Sequence, residues 1–422
     1  MPFDVRSEED LNRMSERGAS ADVPVDQFEV VAFGRYRLRV PRFALVIEID
    51  RVRRDHHELI GELAVSSRLP GGKAVGGALS IADLNVSSAR ARQDRAKFLA
   101  QRSEAEAVDW HGILESFCQQ VLAADRVGEP AIDLRTLPKP AADDCFLVEK
   151  FPLLRRNPTI IFGDGGTAKS YIGLFFAGRL AEHGTRVAYF DWELAGEDHR
   201  DRLERLFGPS MPKVIYARCE RPLVYEVDRL QRIWRDERIE FGIFDSVAFA
   251  CDGPPEAAEI AGKYFRAVRE IDGGSLHIAH VNKSDSANQK PFGSTFWHNG
   301  ARSTWFVKAT EQVGDSSVLT IGLFNRKANL GALRRPLGFR IDFGDASTKF
   351  SSTDVAEEPE LAAAMTIKDK MLAALRRGPL ELDELADRIE EKKDSIQRKI
   401  RQFKNHFVVL DDGRVALKQR GI

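Results

Sequence analysis

The sequence predicts an α/β protein built on a mostly parallel central sheet, with an α+β region before it and a small helix-and-hairpin domain after it. Three observations predict this. Between about residues 144 and 345, short apolar β runs alternate with helical patterns, as strands joined by helical crossovers do. Residues 28–68 alternate apolar and polar with a period of two, and two helical stretches follow. After residue 363, three short helical patterns lead to two β runs separated by Asp411-Asp412-Gly413.

Composition narrows the class. A chain of 422 residues has room for about two to four domains. With 43% hydrophobic and 30% charged residues it suits a folded, water-soluble chain. Net charge is −1, so the molecule is no polycation, and any nucleic-acid contact requires a local basic surface. Cys118, Cys145, Cys219 and Cys251 are scattered without a CxxC pair, which indicates neither a zinc site nor a disulfide framework. The first residues are charged, with no apolar signal region. No run approaches the roughly twenty apolar residues of a membrane span. The expectation is a reduced, cytoplasmic protein with no membrane partner.

Residues 1–24 read as mobile. In the N-terminal region, 1–126, Phe43, Leu45, Ile47 and Ile49 alternate along one strand. Leu59, Gly61, Leu63 and Val65 alternate along the next, with residues 51–57 as the turn between them. Asn85-Val86-Ser87-Ser88 is a capping sequence for a helix starting near Ala89 that carries Arg90, Arg92, Arg95 and Lys97. A second helix is expected over 110–124. The region reads as an accessory or oligomerisation domain, with DNA contact through its arginines as the lesser reading. Pro130, Pro138 and Pro140 mark a linker over 127–143. The α/β domain covers 144–345, and a second polar linker covers 346–362.

Residues 363–422 predict a winged helix: helices over 366–375, 382–389 and 393–403, then a β-hairpin wing. Charge is segregated along it. Glu381 to Glu391 is acidic, whereas Lys392, Lys393, Arg398, Lys399, Arg401 and Lys404 make the third helix basic. A basic third helix suits docking on phosphate or in a major groove. Protein contact is the alternative use.

The chemistry concentrates at Pro158 to Glu193. The apolar run Thr159-Ile160-Ile161-Phe162 enters Gly163-Asp164-Gly165-Gly166-Thr167-Ala168-Lys169-Ser170, and a helical pattern starts there and passes through Tyr171. Strand, glycine-rich turn, Lys-Ser and helix make a phosphate-binding P-loop. Its backbone N–H groups and helix N-terminus cradle ATP phosphates. Lys169 reaches the β/γ-phosphates, and the Ser170 hydroxyl completes a Mg²⁺ shell. Ala168 stands where glycine is usual. It is expected to be tolerated at a helix start, where no positive φ is needed. A strand ending in Asp191-Trp192-Glu193 puts Glu193 at the C-terminal edge of the sheet, placed to orient and deprotonate an attacking water. The strand Phe241-Gly-Ile-Phe-Asp245 puts a second carboxylate at the sheet edge to hold Mg²⁺ through water. His277 and His280 lack Cys or His partners, so a metal role for that pair is rejected.

The order GDGGTAKS, YFDWE, IFDSVAF resembles the RecA-like ATPase core, closest to the hexameric plasmid RepA-type and DnaB-type helicase branch. The likeness covers about half the chain and neither flanking domain. It implies that Glu193 is the catalytic glutamate and that Asp245-Ser246 closes the Walker B strand. It further implies that His280, ending Leu276-His-Ile-Ala-His280, senses the γ-phosphate. Arg326 and Lys327, in Phe324-Asn-Arg-Lys327, would reach the neighbouring subunit's nucleotide. Arg200 and Arg202 are candidates for stacking on the base. The loops after Asp245 and after His280 would face a central channel, where Lys283, Lys290 and Phe292 supply charge and stacking for single-stranded DNA. The implied protein is an ATP-hydrolysing ring, hexameric, acting on DNA as a helicase or translocase in replication of a plasmid, phage or other mobile element. An ATP-switched DNA-binding regulator is the competing reading, and a recombinase-like filament the third.

Overall fold

The computed structural model describes residues 25–32, 34–67, 74–128, 131–139, 144–281, 291–292, 295–311, 317–329 and 331–418. The expectation for 1–24 lies outside them. The chain divides into two compact units, Met1–Lys139 and Pro140–Ile422.

The first unit is a five-stranded antiparallel sheet in sequential order, β1 (Gln27–Ala32), β2 (Arg35–Val40), β3 (Leu45–Asp55), β4 (Glu58–Ser67) and β5 (Ala78–Asn85). Two helices follow, α1 (Ala89–Ser103) and α2 (Trp110–Val127). Leu45, Ile47 and Ile49 alternate inward with Leu63 and Val65, and all are buried with Leu99, Leu114 and Phe117 of the helices. The expected turn over 51–57 is shorter than that. β3 runs on to Asp55 through a bulge between Asp50 and Arg53, and the chain turns at His56. Phe43 sits in a 3₁₀ turn ahead of β3. Ser88 caps α1 by accepting from the Ala91 N–H. Arg92 is committed to Glu115 and to the Val86 carbonyl, and Arg95 to Ser80 and the Asp83 carbonyl. Those contacts spend two of the arginines inside this unit.

The second unit is organised by a nine-stranded sheet. After the hairpin β6 (Cys145–Val148) and β7 (Phe151–Leu154) come β8 (Pro158–Gly163), α3 (Lys169–Glu182), β9 (Val187–Asp191), α4 (Gly196–Phe207) and β10 (Val214–Arg218). Then follow α5 (Leu223–Asp236), β11 (Phe241–Asp245), α6 (Val247–Ala250), α7 (Ala258–Ile271), β12 (Gly274–His280), α8 (Thr295–Gly300) and β13 (Ser303–Ala309). Strands β14 (Val318–Ala328), β15 (Leu337–Phe343) and β16 (Thr348–Thr353) complete it. The order is β10-β9-β11-β12-β8-β13-β14-β15-β16. All pairings from β10 to β13 are parallel, and β14, β15 and β16 add antiparallel strands. The parallel strands are buried on both faces, so they read as unbroken apolar runs. The chain moves from β8 to β9 across β12 and β11, and later to β13 on the other side of β8. That reversal beside β8 is the switch point at which open α/β sheets bind ligands.

The expected linker over 346–362 is a correction. Residues Thr348–Thr353 are the ninth strand of the sheet, and α9 (Pro359–Ala362) follows a 3₁₀ turn. Val355, Leu361 and Ala364 are buried in the core beside Phe324. Residues Glu360 and Ala364 also bind strand ends: Lys308 Nζ donates to the Glu360 carbonyl (2.8 Å) and Arg326 Nη2 to the Ala364 carbonyl (3.0 Å). The polar sequence hid an edge strand because an edge needs only half its side chains buried.

Beyond Ala364 lie α10 (Ile367–Ala374), α11 (Leu382–Ile389), α12 (Lys393–Gln402) and the hairpin β17 (Phe407–Val409) and β18 (Val415–Leu417). They share a separate core of Met371, Leu375, Leu385, Ile396, Phe407 and Val415. Ile396 is the buried residue of α12, and Lys392, Lys393, Arg398, Arg401 and Lys404 are exposed.

Candidate nucleotide site

Strand β8 delivers the chain into the glycine loop at its C-terminal end. A Cβ on Gly163 would lie 2.2 Å from the Val307 carbonyl oxygen, so no side chain fits there. Gly166 has φ +76°, which glycine adopts without strain. Ala168, at the helix N-cap, has φ 55° and ψ 25°. The expectation that this alanine needs no positive φ is therefore a correction: it carries a left-handed backbone, which costs a non-glycine residue about 1–2 kcal/mol.

Lys169 is buried, and its Nζ donates to the Gly163 carbonyl (3.0 Å), the Asp164 carbonyl (2.5 Å) and Thr167 Oγ1 (3.2 Å). The loop thus closes on its own cation. Burial pushes the ammonium down to about 8, against the pull of the Asp245, Asp164 and Glu193 carboxylates. A cleft of about 560 Å³ opens beside the loop, bounded by Asp164, Gly165 and Gly166 on one side and Lys308, Glu311 and Glu360 on the other.

Strand register assembles the rest. Asp191 pairs with Asp245, Asp245 with Ile278, and His280 with Gly163. The ends of β9, β11, β12 and β8 therefore form one edge. Asp245 is 2% exposed, and Tyr189 donates to its Oδ2 at 2.6 Å. Its Oδ1 is buried and makes no hydrogen bond. Burial raises the Asp245 carboxyl, the Tyr189 and Ser170 hydroxyls oppose this, and the neighbouring Asp191 and Glu193 charges add to it. A buried carboxylate oxygen that makes no hydrogen bond, on a side chain that the Ser170 hydroxyl also approaches, fits a hard, oxygen-seeking cation such as Mg²⁺. Asp191, His199 and Asp245 also bring ligand atoms within 4.8 Å of one another. The oxygens of Asp191 are occupied by N–H and hydroxyl donors, so this group is a hydrogen-bond network and not a second metal centre.

Glu193 projects from the turn after β9 and is exposed. His280 ends β12, and its imidazole is held below its usual range, first by burial and then by the Lys169 charge. Arg202 of α4 stacks over the Tyr171 ring at 4.8 Å, while Arg200 pairs with Glu204 at 3.1 Å. His277 is fully buried between Tyr264 (2.8 Å) and Ser275 (2.9 Å), a packed core histidine.

Arg326 and Lys327 lie at the end of β14 and are held by their own chain. The Arg326 guanidinium lies over both the Phe306 and Phe324 rings, 5.6 and 5.3 Å from their centroids, and bonds the Ala364 carbonyl. Lys327 Nζ donates to the carbonyls of His298 (2.8 Å), Asn299 (3.0 Å) and Ala301 (2.8 Å), capping the end of α8. Phe292, expected to stack on DNA, is 5% exposed and packs on Trp297 at 5.3 Å, because the chain folds it back under α8. Lys283 and Lys290 lie outside the described residues. Sequence reasoning missed Asp191, His199 and Tyr189 as site residues. Asp191 carried a faint signal as a strand-end acid two residues from Glu193; His199, inside an ordinary charged helix, carried none.

A glycine loop on a central parallel strand, with Asp191 and Asp245 ending two other strands at the same edge, is an α/β sheet with a phosphate-binding type of loop at its switch point. No protein-family model matches the chain, and no curated protein does. Two solved structures that resemble it are an ATPase domain and a KaiC-like protein from the hyperthermophilic archaeon Pyrococcus horikoshii. The first is 12% identical, covering 47% of this chain and 86% of its own, with a TM-score of 0.37. The second is 14% identical, covering 50% and 95%, with a TM-score of 0.38.

Ala168→Gly should stabilise the protein by about 0.5–1 kcal/mol, the relief of about 1–2 kcal/mol of strain less the about 0.4–1 kcal/mol that glycine gives back to the unfolded chain. Urea unfolding checks it; a loss of stability would show that the left-handed backbone at 168 carries no strain.

Proposed function

We propose that this chain is an ATP-hydrolysing RecA-like ring protein that acts on DNA as a helicase or translocase, in replication of a plasmid, phage or other mobile element. The observation that carries this reading is the sheet edge at which Asp245, Glu193 and His280 stand close enough to Lys169 of the Gly163–Ser170 loop for their charges to act on one another. Loop N–H groups and the Lys169 ammonium bind the β/γ-phosphates, which replace the carbonyls that Lys169 now touches. Ser170 and Asp245 Oδ1 would hold Mg²⁺, which when bound neutralises charge on the phosphates. Glu193 accepts a proton from water, whose oxygen attacks the γ-phosphorus as the bond to ADP breaks. His280 stands at the adjacent strand end to report the γ-phosphate. Arg202 and Tyr171 offer a cation and a ring for the base.

DNA is the proposed partner because α12 turns Ile396 inward and presents a row of exposed cations outward. The ring reading rests on the resemblance to ring helicases, and a finger from Arg326 or Lys327 requires release of the carbonyls each now binds. Those same contacts favour the second reading, an ATP-switched DNA-binding regulator without unwinding activity.

Three outcomes test the proposal. Glu193→Gln should bind ATP normally while hydrolysis falls at least about 100-fold; turnover at the parental rate would place the base elsewhere. The second outcome concerns pH. Free Lys169 titrates near 8, and bound phosphate raises that value, so the complex holds an extra proton above pH 8. ATP affinity measured by calorimetry should therefore fall about tenfold between pH 7 and pH 9. A flat profile would contradict the buried, titrating lysine. Removing residues 366–422, which have their own core, should weaken duplex binding, most of all at low salt, and leave basal hydrolysis intact. Equal DNA affinity of both proteins at every salt concentration would eliminate α12 as a DNA-binding element.

A further inference from the structure

Glu193 lies on a turn whose other residues are all tied down. Asp191 is fully buried at the end of β9. Its Oδ1 accepts from the Glu193 backbone N–H (3.0 Å) and its Oδ2 from the Leu194 N–H (2.9 Å). The same Oδ2 accepts from His199 Nε2 (3.2 Å) and the Tyr216 hydroxyl (3.4 Å), with Arg218 Nη1 at 3.6 Å. Tyr216 and Arg218 also donate to the Leu194 carbonyl, at 3.0 and 2.5 Å. On the other side, the Trp192 N–H donates to the Asp245 carbonyl (2.7 Å) and its indole to the Arg221 carbonyl (2.8 Å). From 191 to 194, the side chain of Glu193 is what this lattice leaves exposed.

We infer that Asp191, supported by His199, Tyr216 and Arg218, is the positioning residue that fixes Glu193 over the phosphate loop. The inference rests on the reading of Glu193 as the base. A carboxylate is suited to the task because its oxygens take several donors in one plane, which an amide cannot. His199 reaches it from α4, so the turn is anchored to a helix as well as to the strand it leaves. A general base displaced by about 1 Å loses about a hundredfold in rate while substrate binding is untouched. That separates positioning from mere support of the fold, which would affect binding and chemistry together.

The test is a double-mutant cycle on the full chain, reading the kcat and KM of ATP hydrolysis and the affinity for a fluorescent ATP analogue. Asp191→Ala should lower kcat by about a hundredfold with analogue affinity unchanged. The isosteric Asp191→Asn guards against misfolding. It keeps an acceptor for one of the two backbone N–H groups and should lose less. Asp191→Ala combined with Glu193→Gln should be no slower than Glu193→Gln alone, since a base that is absent cannot be misplaced. If Glu193→Gln is inactive while both Asp191 variants keep the parental kcat, the positioning role is overturned and the base stands. If the two losses multiply in the double variant, Asp191 acts independently of Glu193 and the proposal fails. If Glu193→Gln hydrolyses at the parental rate, the base assignment falls first and the positioning role with it.

Discussion

Register between four parallel strands is the constraint on which the site depends. Asp191 opposite Asp245, and His280 opposite Gly163, places the ends of β9, β11, β12 and β8 at one level. A slip of one residue would turn each strand-end side chain to the other face of the sheet. The register is fixed by burial on both faces: Phe190 and Phe244 pack on one side, Tyr189 and Ile243 on the other. The apolar interior of the sheet therefore sets the geometry of a polar edge that it does not touch.

That edge holds charge in an uncomfortable state. Lys169 is buried and falls back on loop carbonyls, while Asp245 is buried with one oxygen undonated. Burial lowers the one and raises the other, so both charged forms are disfavoured until a counter-charge arrives. A ligand that brings phosphate to the lysine and a divalent cation to the aspartate relieves both. The strained Ala168 backbone between them belongs to the same pattern, in which local cost gathers where a ligand binds.

The sheet also carries the C-terminal domain. β16 and α9 extend the core, and Glu360 reaches the strand end beside the loop, where its carboxylate accepts from the Glu311 N–H at 2.8 Å. Arg326 is clasped by Ala364 on the same connector. The segment that precedes α10, α11 and α12 is thus built into the wall of the cleft.

The sequence by itself determined the glycine loop, the carboxylates Glu193 and Asp245 at the strand ends or just beyond, the helix cap at Ser88 and the three helices and hairpin after residue 365. These are local signals: glycines at a turn, apolar runs of strand length, a capping serine, charges spaced along one helix. Tertiary structure alone decided what depends on neighbours distant in sequence. The polar stretch 348–353 became a strand because β15 offered it an edge, and Phe292 became core because Trp297 lay above it. Arg326 and Lys327 turned inward because carbonyls of 298–301 and 364 stood within reach. Ala168 took a left-handed backbone because loop closure overrode the preference of its side chain. Asp191 and His199, eight residues apart on a strand and a helix, became partners only when the crossover folded α4 back onto the sheet. No periodicity in the sequence records such a meeting, because it is set by the path of the chain and not by its local preference.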